Sequence, residues 1–370
     1  MKKYLIIIVL LIAIISTSKA EKPIVKWYKG NTHSHSTVSD GDSPAYKVVQ
    51  KYHDHGYNFL LLTDHNFLVN PDTIKKPAQM RNDFILIPGE EVTDQKSVHT
   101  TAFNIKKYVP FTNDPQKETD LKKRREEIMN TLKTPGTQSK TEMLQNHVND
   151  IIETGGIPIL NHPNFSEGLQ FSDILPVKNL HHMELYNGHP GVYNWGKEGH
   201  IAVEAKWDSL LSRGQLIYAV ASDDEHDLET QSPKDANPFR GWIMVKSSKL
   251  TPESIQKAVE KGDFYASNSV ILRKCEVSAK NYMVEIDEEA TLNELKSSAG
   301  VPRLDEKGEE GFSIEFIGKN GVVLAKTSGL KAGYKPAKKD GYVRARATFC
   351  KKTEKGFEKW FAWTQPVFVD

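Results

Sequence analysis

Between residues 24 and 246 one arrangement recurs: a short apolar, β-rich run stops abruptly at residues able to bind a metal ion. Ile24 to Tyr28 leads to His33 and His35, and Phe59 to Leu62 leads to Asp64 and His65. Phe84 to Ile87 leads to Glu90 and Glu91, and Ile157 to Leu160 leads to His162. Met183 to Tyr186 leads to Asn187 and His189, and Leu216 to Ala221 leads to Asp223, Asp224 and His226. Gly241 to Val245 is a further strand, with Arg240 at its start. Helical stretches lie between the runs. Ser43-Pro44 opens Ala45 to His55, which Gly56 closes; Thr141 to Thr154 ends at Gly155-Gly156; Pro252 to Lys261 ends at Gly262. Strands alternating with helices imply parallel strands, and uninterrupted apolar strands imply burial on both faces. In such folds the site gathers at the carboxyl ends of the strands, where the metal-capable residues stand.

A charged Asp or a His closing a buried strand is costly unless it is paired or bound to a metal. In His33-Ser-His35 an extended backbone turns both imidazoles to one side, and Asp224-Glu-His226 repeats that spacing with mixed donors. Glu91 can bridge two cations through its two oxygens. His99 heads another apolar segment, Ala102 to Ile105, and His162 lies in Asn161-His-Pro163. Asp40, in Ser39-Asp-Gly-Asp42, is readable as a ligand or as a turn aspartate. Each residue taken singly has a bland explanation, a cap or a satisfied histidine. Together they would need five or six unrelated explanations at one end of one sheet, whereas a shared nitrogen-and-oxygen metal site accounts for all of them. The set contains no thiolate, and imidazole with carboxylate suits Zn, Mn, Fe or Ni.

The string His33-x-His35, Ser39-Asp40-Gly41, Thr63-Asp64-His65, Pro88-Gly89-x-Glu91, His162-Pro163 and Asp224-x-His226 resembles the PHP (polymerase and histidinol phosphatase) family over roughly residues 27 to 270. The resemblance implies a distorted seven-stranded β/α (TIM-like) barrel holding a cluster of two or three divalent transition metal ions. It also implies phosphoesterase activity. Carried over by motif, His33, His35, Glu91 and Asp224 hold one metal, Asp40, His65 and His226 a second, and Glu91, His99 and His162 a third. Asp40 stands where some members use His. The doubled acids Glu90-Glu91 and Asp223-Asp224 leave the ligand of each pair to motif spacing, which selects Glu91 and Asp224.

The expected reaction is hydrolysis of a small-molecule phosphate ester, such as a sugar phosphate or nucleotide, by metal-activated hydroxide. His189, in Asn187-Gly-His-Pro190, or Asp64 is the candidate for protonating the leaving group. Arg240, in Asn237-Pro-Phe-Arg240, either binds a phosphate bidentately or pairs with a nearby acid. Amide or lactone hydrolysis on the same barrel is the nearest alternative. A non-catalytic surface binding module is a more distant one, disfavoured because nine candidate ligands exceed what a closed structural site needs.

The flanking chain frames this unit. Lys2 and Lys3, an apolar run from Tyr4 to Ile15 and a small-residue ending at Ser18 and Ala20 read as a signal peptide over residues 1–20, hence export to a periplasmic or extracellular location. No later segment is apolar enough to span a membrane. A net charge of +1 gives no field for a nucleic-acid polymer. The barrel unit is expected over residues 21–270, with residues 110–140 as an exposed helical insertion. Its basic cluster Lys122-Lys-Arg-Arg125 is read as a solvated face. From residue 271 to 370, alternating runs separated by Lys319-Asn-Gly321, Lys339-Asp-Gly341 and Glu354-Lys-Gly356 predict a small antiparallel β-sandwich-like domain. Trp360 to Trp363 is assigned to its core. Cys275 and Cys350 either form a disulfide or remain as two half-buried thiols.

Overall fold

The apolar runs become strands of one mixed sheet. In the order of the chain the elements are β1 (Lys26–Asn31), α1 (Ala45–Asp54), β2 (Phe59–Leu62), β3 (Ile85–Thr93), β4 (His99–Phe103), α2 (Leu121–Lys133), α3 (Lys140–Glu153), β5 (Ile157–Leu160), α4 (Phe171–Ile174), β6 (His182–Asn187), α5 (Val203–Ser212), β7 (Tyr218–Ser222), β8 (Trp242–Ser247), α6 (Pro252–Glu260) and β9 (Phe264–Ser267). This computed structural model describes residues 24–74, 82–95, 97–110, 117–133, 137–297 and 300–369. The signal peptide expected at 1–20 lies outside the described residues, as do 111–116 and 134–136 of the expected insertion. No helix among the described residues is long and apolar enough to cross a membrane.

Helix boundaries follow local chemistry. Ser139 caps α3, and its partner Glu142 bonds back to complete a capping box. Thr251 caps α6, with Pro252 in the first turn. At α1 the proline sits one residue earlier than expected: Pro44 is extended (ψ 148°), and its carbonyl receives the Lys47 and Val48 N–H groups. Gly56 ends that helix at φ 79°, a conformation that needs no Cβ.

The strand pairing departs from the all-parallel expectation. β1–β2, β2–β3, β5–β6 and β6–β7 are parallel. β3–β4, β4–β5, β1–β8 and β8–β9 are antiparallel. The reason at β3–β4 is the connection. Asp94 N–H reaches back to Val98 O (2.9 Å), so the chain reverses in a tight loop, and a tight loop joins only antiparallel neighbours. The two ends of the β1–β7 path meet. Asp224 N–H bonds to His33 O (3.0 Å) and His35 N–H to Glu225 O (2.9 Å), while Thr63 N–H bonds to Ser34 O (2.9 Å). The segment after β1 is thereby tied to the ends of both β2 and β7. Phe59, Leu61, Ile87, Phe103, Ile159, Val220, Ile243 and Val245, from six different strands, pack into one apolar cluster.

The remainder is antiparallel β with one helix: β10 (Leu272–Glu276), β11 (Tyr282–Ile286), α7 (Glu288–Ser297), β12 (Arg303–Asp305), β13 (Gly311–Gly318), β14 (Val322–Ser328), β15 (Lys331–Tyr334), β16 (Tyr342–Thr353), β17 (Gly356–Thr364) and β18 (Val367–Phe368). β16 and β17 form a hairpin across Glu354-Lys355, and Asn320 takes φ 62° in the β13–β14 turn. The small sheet β10–β11–β15 shares a core with β13, β16 and β17 through Val284, Ile286, Ile314, Phe316, Ala345 and Trp360. These strands do not stand apart from the first sheet. β17 pairs with β9, Ala362 opposite Ser267, so the sheet runs on without a break. Trp363 and Phe361 belong to the cluster of Tyr186, Trp207 and Leu210. Half of the aromatic tail therefore glues the two regions together, while Trp360 stays in the C-terminal core. Cys275 and Cys350 are both free thiols.

Candidate metal centre

At one end of the β1–β7 sheet, nine side chains form four overlapping groups whose donor atoms lie within 4.8 Å of one another. These are His35, Asp40, His65 and His226; His33, Glu91 and His162; His33, His35 and Asp224; and His65, Glu91 and His99. The members of the four groups are the nine ligand candidates read from the strand ends. His33, His35 and Glu91 have no exposed surface, and His162 retains 3%. His99 joins them because β4 is antiparallel. Its amino end lies beside the carboxyl end of β3, with His99 opposite Thr93, so a gap of eight residues closes to 3.1 Å between His99 Nδ1 and Glu91 Oε1. His162 and Asp224 hold their places at positive φ (23° and 52°), a strain that the surrounding bonds must hold.

The distances match shared ligation. Two donors about 2.1 Å from one ion stand about 3.0–3.4 Å apart at octahedral or tetrahedral angles. His33 Nε2 and His35 Nε2 are 3.1 Å apart, and each lies 3.2 Å from Asp224 Oδ1. Asp40 approaches His226 Nε2 at 3.4 Å and His65 Nε2 at 3.5 Å. Glu91 Oε1 faces His99, His162 (3.2 Å) and His33 (3.3 Å). Two imidazole nitrogens at 3.1 Å repel through their lone pairs unless a proton or a cation lies between them. The nitrogen-and-oxygen donor set fits divalent metal ions.

Charge is divided within the cluster: against burial, Asp224, Glu91 and Glu184 hold His33 well above the usual imidazole range, Glu91 and Asp40 do the same for His65, and Asp40 raises His226 to about 9. Burial works against charge on Glu91, yet the His65, His33 and His99 rings hold its carboxyl well below the usual range. Asp224 is held low in the same way, chiefly by His33 and His35. Burial, reinforced by neighbouring histidines, brings His35 down to about 3, and burial brings His99 down to about 4, so both are neutral imidazoles, the form that ligates.

Of each doubled acid, the second faces the cluster. Glu90 turns to the Val109 N–H (3.3 Å). Asp223 accepts from the Phe239, Arg240 and Gly241 N–H groups (2.9, 2.6 and 2.7 Å) and from Tyr52 Oη (2.7 Å). The three residues proposed for proton transfer and phosphate binding separate. Asp64 is fully buried and accepts from the backbone and hydroxyls of Ser36 and Ser39, fixing the loop that carries Asp40. His189 is half-buried at the rim, its ring 5.5 Å from that of His226; its Nδ1 accepts from Gly191 N–H (3.0 Å), which leaves Nε2 as the protonated nitrogen. Arg240 is not presented to the cluster. Its guanidinium donates to Gly188 O, Asp235 O, Ser232 O and Asn237 Oδ1, and 1% of the residue is exposed. Loop carbonyls consume the donors that a phosphate would need.

Sequence reading missed the residues that orient the ligands. Glu184, inside β6, lies 2.8 Å from His33 Nδ1 and accepts from Ser222 Oγ, His162 N–H (2.7 Å) and Asn187 Nδ2 (2.8 Å). Asn161 Nδ2 donates to Glu91 Oε1 (2.8 Å), and Asn187 Nδ2 to Asp224 Oδ2 (3.2 Å). One signal was available: Glu184 is a carboxylate between Met183 and Leu185 in a strand that is buried throughout.

No protein-family model matches the sequence. No curated protein matches it either. The chain is similar in structure to a two-domain protein of Bacteroides vulgatus containing a candidate PHP-like metal-dependent phosphoesterase, at 12% identity, covering 92% of this chain and 87% of that one, with a TM-score of 0.41. It is also similar to a candidate metal-dependent phosphoesterase of Bifidobacterium adolescentis (14% identity, 53% and 87% covered, TM-score 0.38). A third similar structure is an amidohydrolase of Chromobacterium violaceum, solved with sulfate and without metal (15% identity, 54% and 88% covered, TM-score 0.32).

Proposed function

We propose that this chain is an exported, metal-dependent phosphoesterase acting on a small-molecule phosphate ester. In this reading residues 21–270 form a seven-stranded β/α barrel, residues 271–370 an appended β domain, and residues 1–20 a signal peptide. The observation that carries the reaction class is the donor set: six imidazoles and three carboxylates converge in one buried cluster. Even two divalent cations outweigh three carboxylates, so the loaded site is net positive and suited to a phosphoryl group that gains charge in its transition state. His33, His35 and Asp224 would hold one ion, Asp40, His65 and His226 a second, and His99 and His162 a third, with Glu91 shared. Bound there, Zn, Mn or Fe supplies Lewis acidity, lowering the pKa of water and neutralising phosphoryl oxygens.

The chain's own side chains do the rest. Glu184 holds the His33 ring by Nδ1, so that Nε2 faces the cluster. Asp64 fixes the Asp40 loop. His189 keeps Nε2–H at the rim, placed to donate a hydrogen bond to a leaving oxygen. The test is elemental analysis of protein purified without chelator, paired with a panel of phosphate monoesters, phosphate diesters, lactones and amides. Two or three transition metals per chain with turnover of a phosphate ester is the expected result. Turnover restricted to lactones or amides, or one metal or none without turnover after loading, overturns the proposal.

A further inference from the structure

Among the described residues three arginines are buried, and they differ in character. Arg240 spends both terminal nitrogens on four loop acceptors, and only its Nε has no partner. Arg344 is paired with two carboxylates, hydrogen-bonded through Nε and Nη2 to Asp208 (both 2.7 Å) and in an ion pair through Nη1 with Glu204 (2.9 Å). Arg124, in the first turn of α2, has 8% of its surface exposed, and its Nε has no hydrogen-bond partner. Among the described residues no acid forms an ion pair with it; Asp64 and Glu118 act on it only at longer range. Its guanidinium instead stacks on Phe67, with 4.1 Å from Cζ to the ring centroid. A buried guanidinium without a counter-charge is expensive, and stacking on an aromatic face recovers only part of the deficit.

Its location says what would supply that charge. Phe67 follows the candidate ligand His65 by two residues, in a turn closed by the Phe67 N–H bond to Asp64 O (3.3 Å). The neighbouring Arg125 donates from Nη2 to the carbonyl of Asp40 (3.2 Å), another candidate ligand. Asp120 Oδ1 receives the Lys122 and Lys123 N–H groups (2.9 and 3.1 Å) and so fixes the turn that carries both arginines. The basic cluster of the insertion is therefore not a uniformly solvated face. Lys122 and Lys123 point outward, while Arg124 and, one turn on, Ile128 are buried.

We propose that Arg124 is the anion-recognition residue of this site: its planar fork, braced on Phe67, binds a phosphoryl oxygen of the substrate beside the Asp40–His65–His226 group. This assigns to α2 the role that the sequence suggested for Arg240. It rests on the phosphoesterase reading for the identity of the substrate, but its test does not depend on turnover. Inorganic phosphate is titrated by calorimetry into the full-length metal-loaded protein, into Arg124→Gln and into Arg124→Lys, with metal content and melting temperature measured on each. Losing a charged hydrogen bond weakens binding roughly tenfold to hundredfold. The expected result is that loss in Arg124→Gln, partial recovery in Arg124→Lys, and unchanged metal content in both. If the parent protein binds phosphate and both variants bind it equally well, the proposal is overturned and Arg124 is a helix-packing residue. It is overturned equally if the parent protein binds no phosphate. If phosphate binding depends on Arg124 while no phosphate ester is turned over, the anion site stands and the assigned reaction falls.

Discussion

His33 Nδ1 lies 2.8 Å from Glu184 Oε1, on the side of the ring opposite the Nε2 that faces His35. The same carboxylate accepts from the His162 backbone N–H, so one buried side chain holds two candidate ligands that follow different strands, β1 and β5. Such a partner fixes the imidazole's tautomer and raises its basicity, and its loss typically lowers metal affinity about 10–100-fold. Glu184→Gln is therefore expected to lose metal to a competing chelator at a correspondingly lower concentration than the parent protein, with little change in melting temperature of the metal-free form. Equal metal retention would reduce Glu184 to a packing role.

Arg240 gives the opposite expectation. Its donors serve the loop from Ser232 to Asn237 and the Gly188 carbonyl rather than the cluster. Each buried acceptor left bare costs about 1–3 kcal/mol. Arg240→Met should lower the melting temperature while leaving KM for a phosphate ester unchanged in the fraction that remains folded. A raised KM without loss of stability would return Arg240 to the substrate.

These two residues mark where the sequence was readable and where it was not. A histidine or acid that abruptly ends an apolar strand is conspicuous, because burial forces it to have a purpose, and seven of the nine candidate ligands carry that mark, whereas Asp40 sits in a turn and His99 heads a strand. Glu184 carries a weaker one, since its partners His33 and Ser222 are distant in the chain and meet it only in the fold. Arg240 and Arg124 look alike in sequence, since what separates them is whether distant carbonyls reach the guanidinium. The strand order failed in a similar way. Local periodicity located β3 and β4 but did not show that the turn from Asp94 to Val98 makes them antiparallel. Nor does any local pattern reveal that β17 seals the edge of β9.

Removing His33 tests the centre itself. It belongs to two of the four donor groups, and its Nε2 lies 3.2 Å from Asp224 and 3.3 Å from Glu91. His33→Ala should abolish turnover and lower the metal stoichiometry measured by elemental analysis, while far-UV circular dichroism stays that of the parent protein. Turnover retained at a comparable rate would mean that the chemistry does not pass through this cluster.

The seam between the two regions should respond to acid. Glu204 on α5 meets Arg344 (2.9 Å) and Arg346 (2.8 Å) on β16, and Arg346 continues to Glu315 on β13 (2.6 Å). Burial alone would push the Glu204 carboxyl up, but the two guanidiniums hold it below the usual range. A carboxylate with a folded pKa below its unfolded value, about 4.3, contributes stability above that value and loses it as pH falls through the folded one. The parent protein should therefore lose stability as the pH drops below about 4.3. Breaking a buried ion pair by removing one partner costs about 3–5 kcal/mol, so Glu204→Gln should be destabilised on that scale at pH 7. The gap to the parent protein should then narrow in acid, because the variant has no charge there left to lose. Denaturant midpoints measured from pH 3 to pH 7 decide it: parallel curves for the two proteins would show that Glu204 is not held ionised by the arginines, and that the seam rests on the Asp208–Arg344 pair, the β9–β17 pairing and the apolar contacts of Phe361 and Trp363.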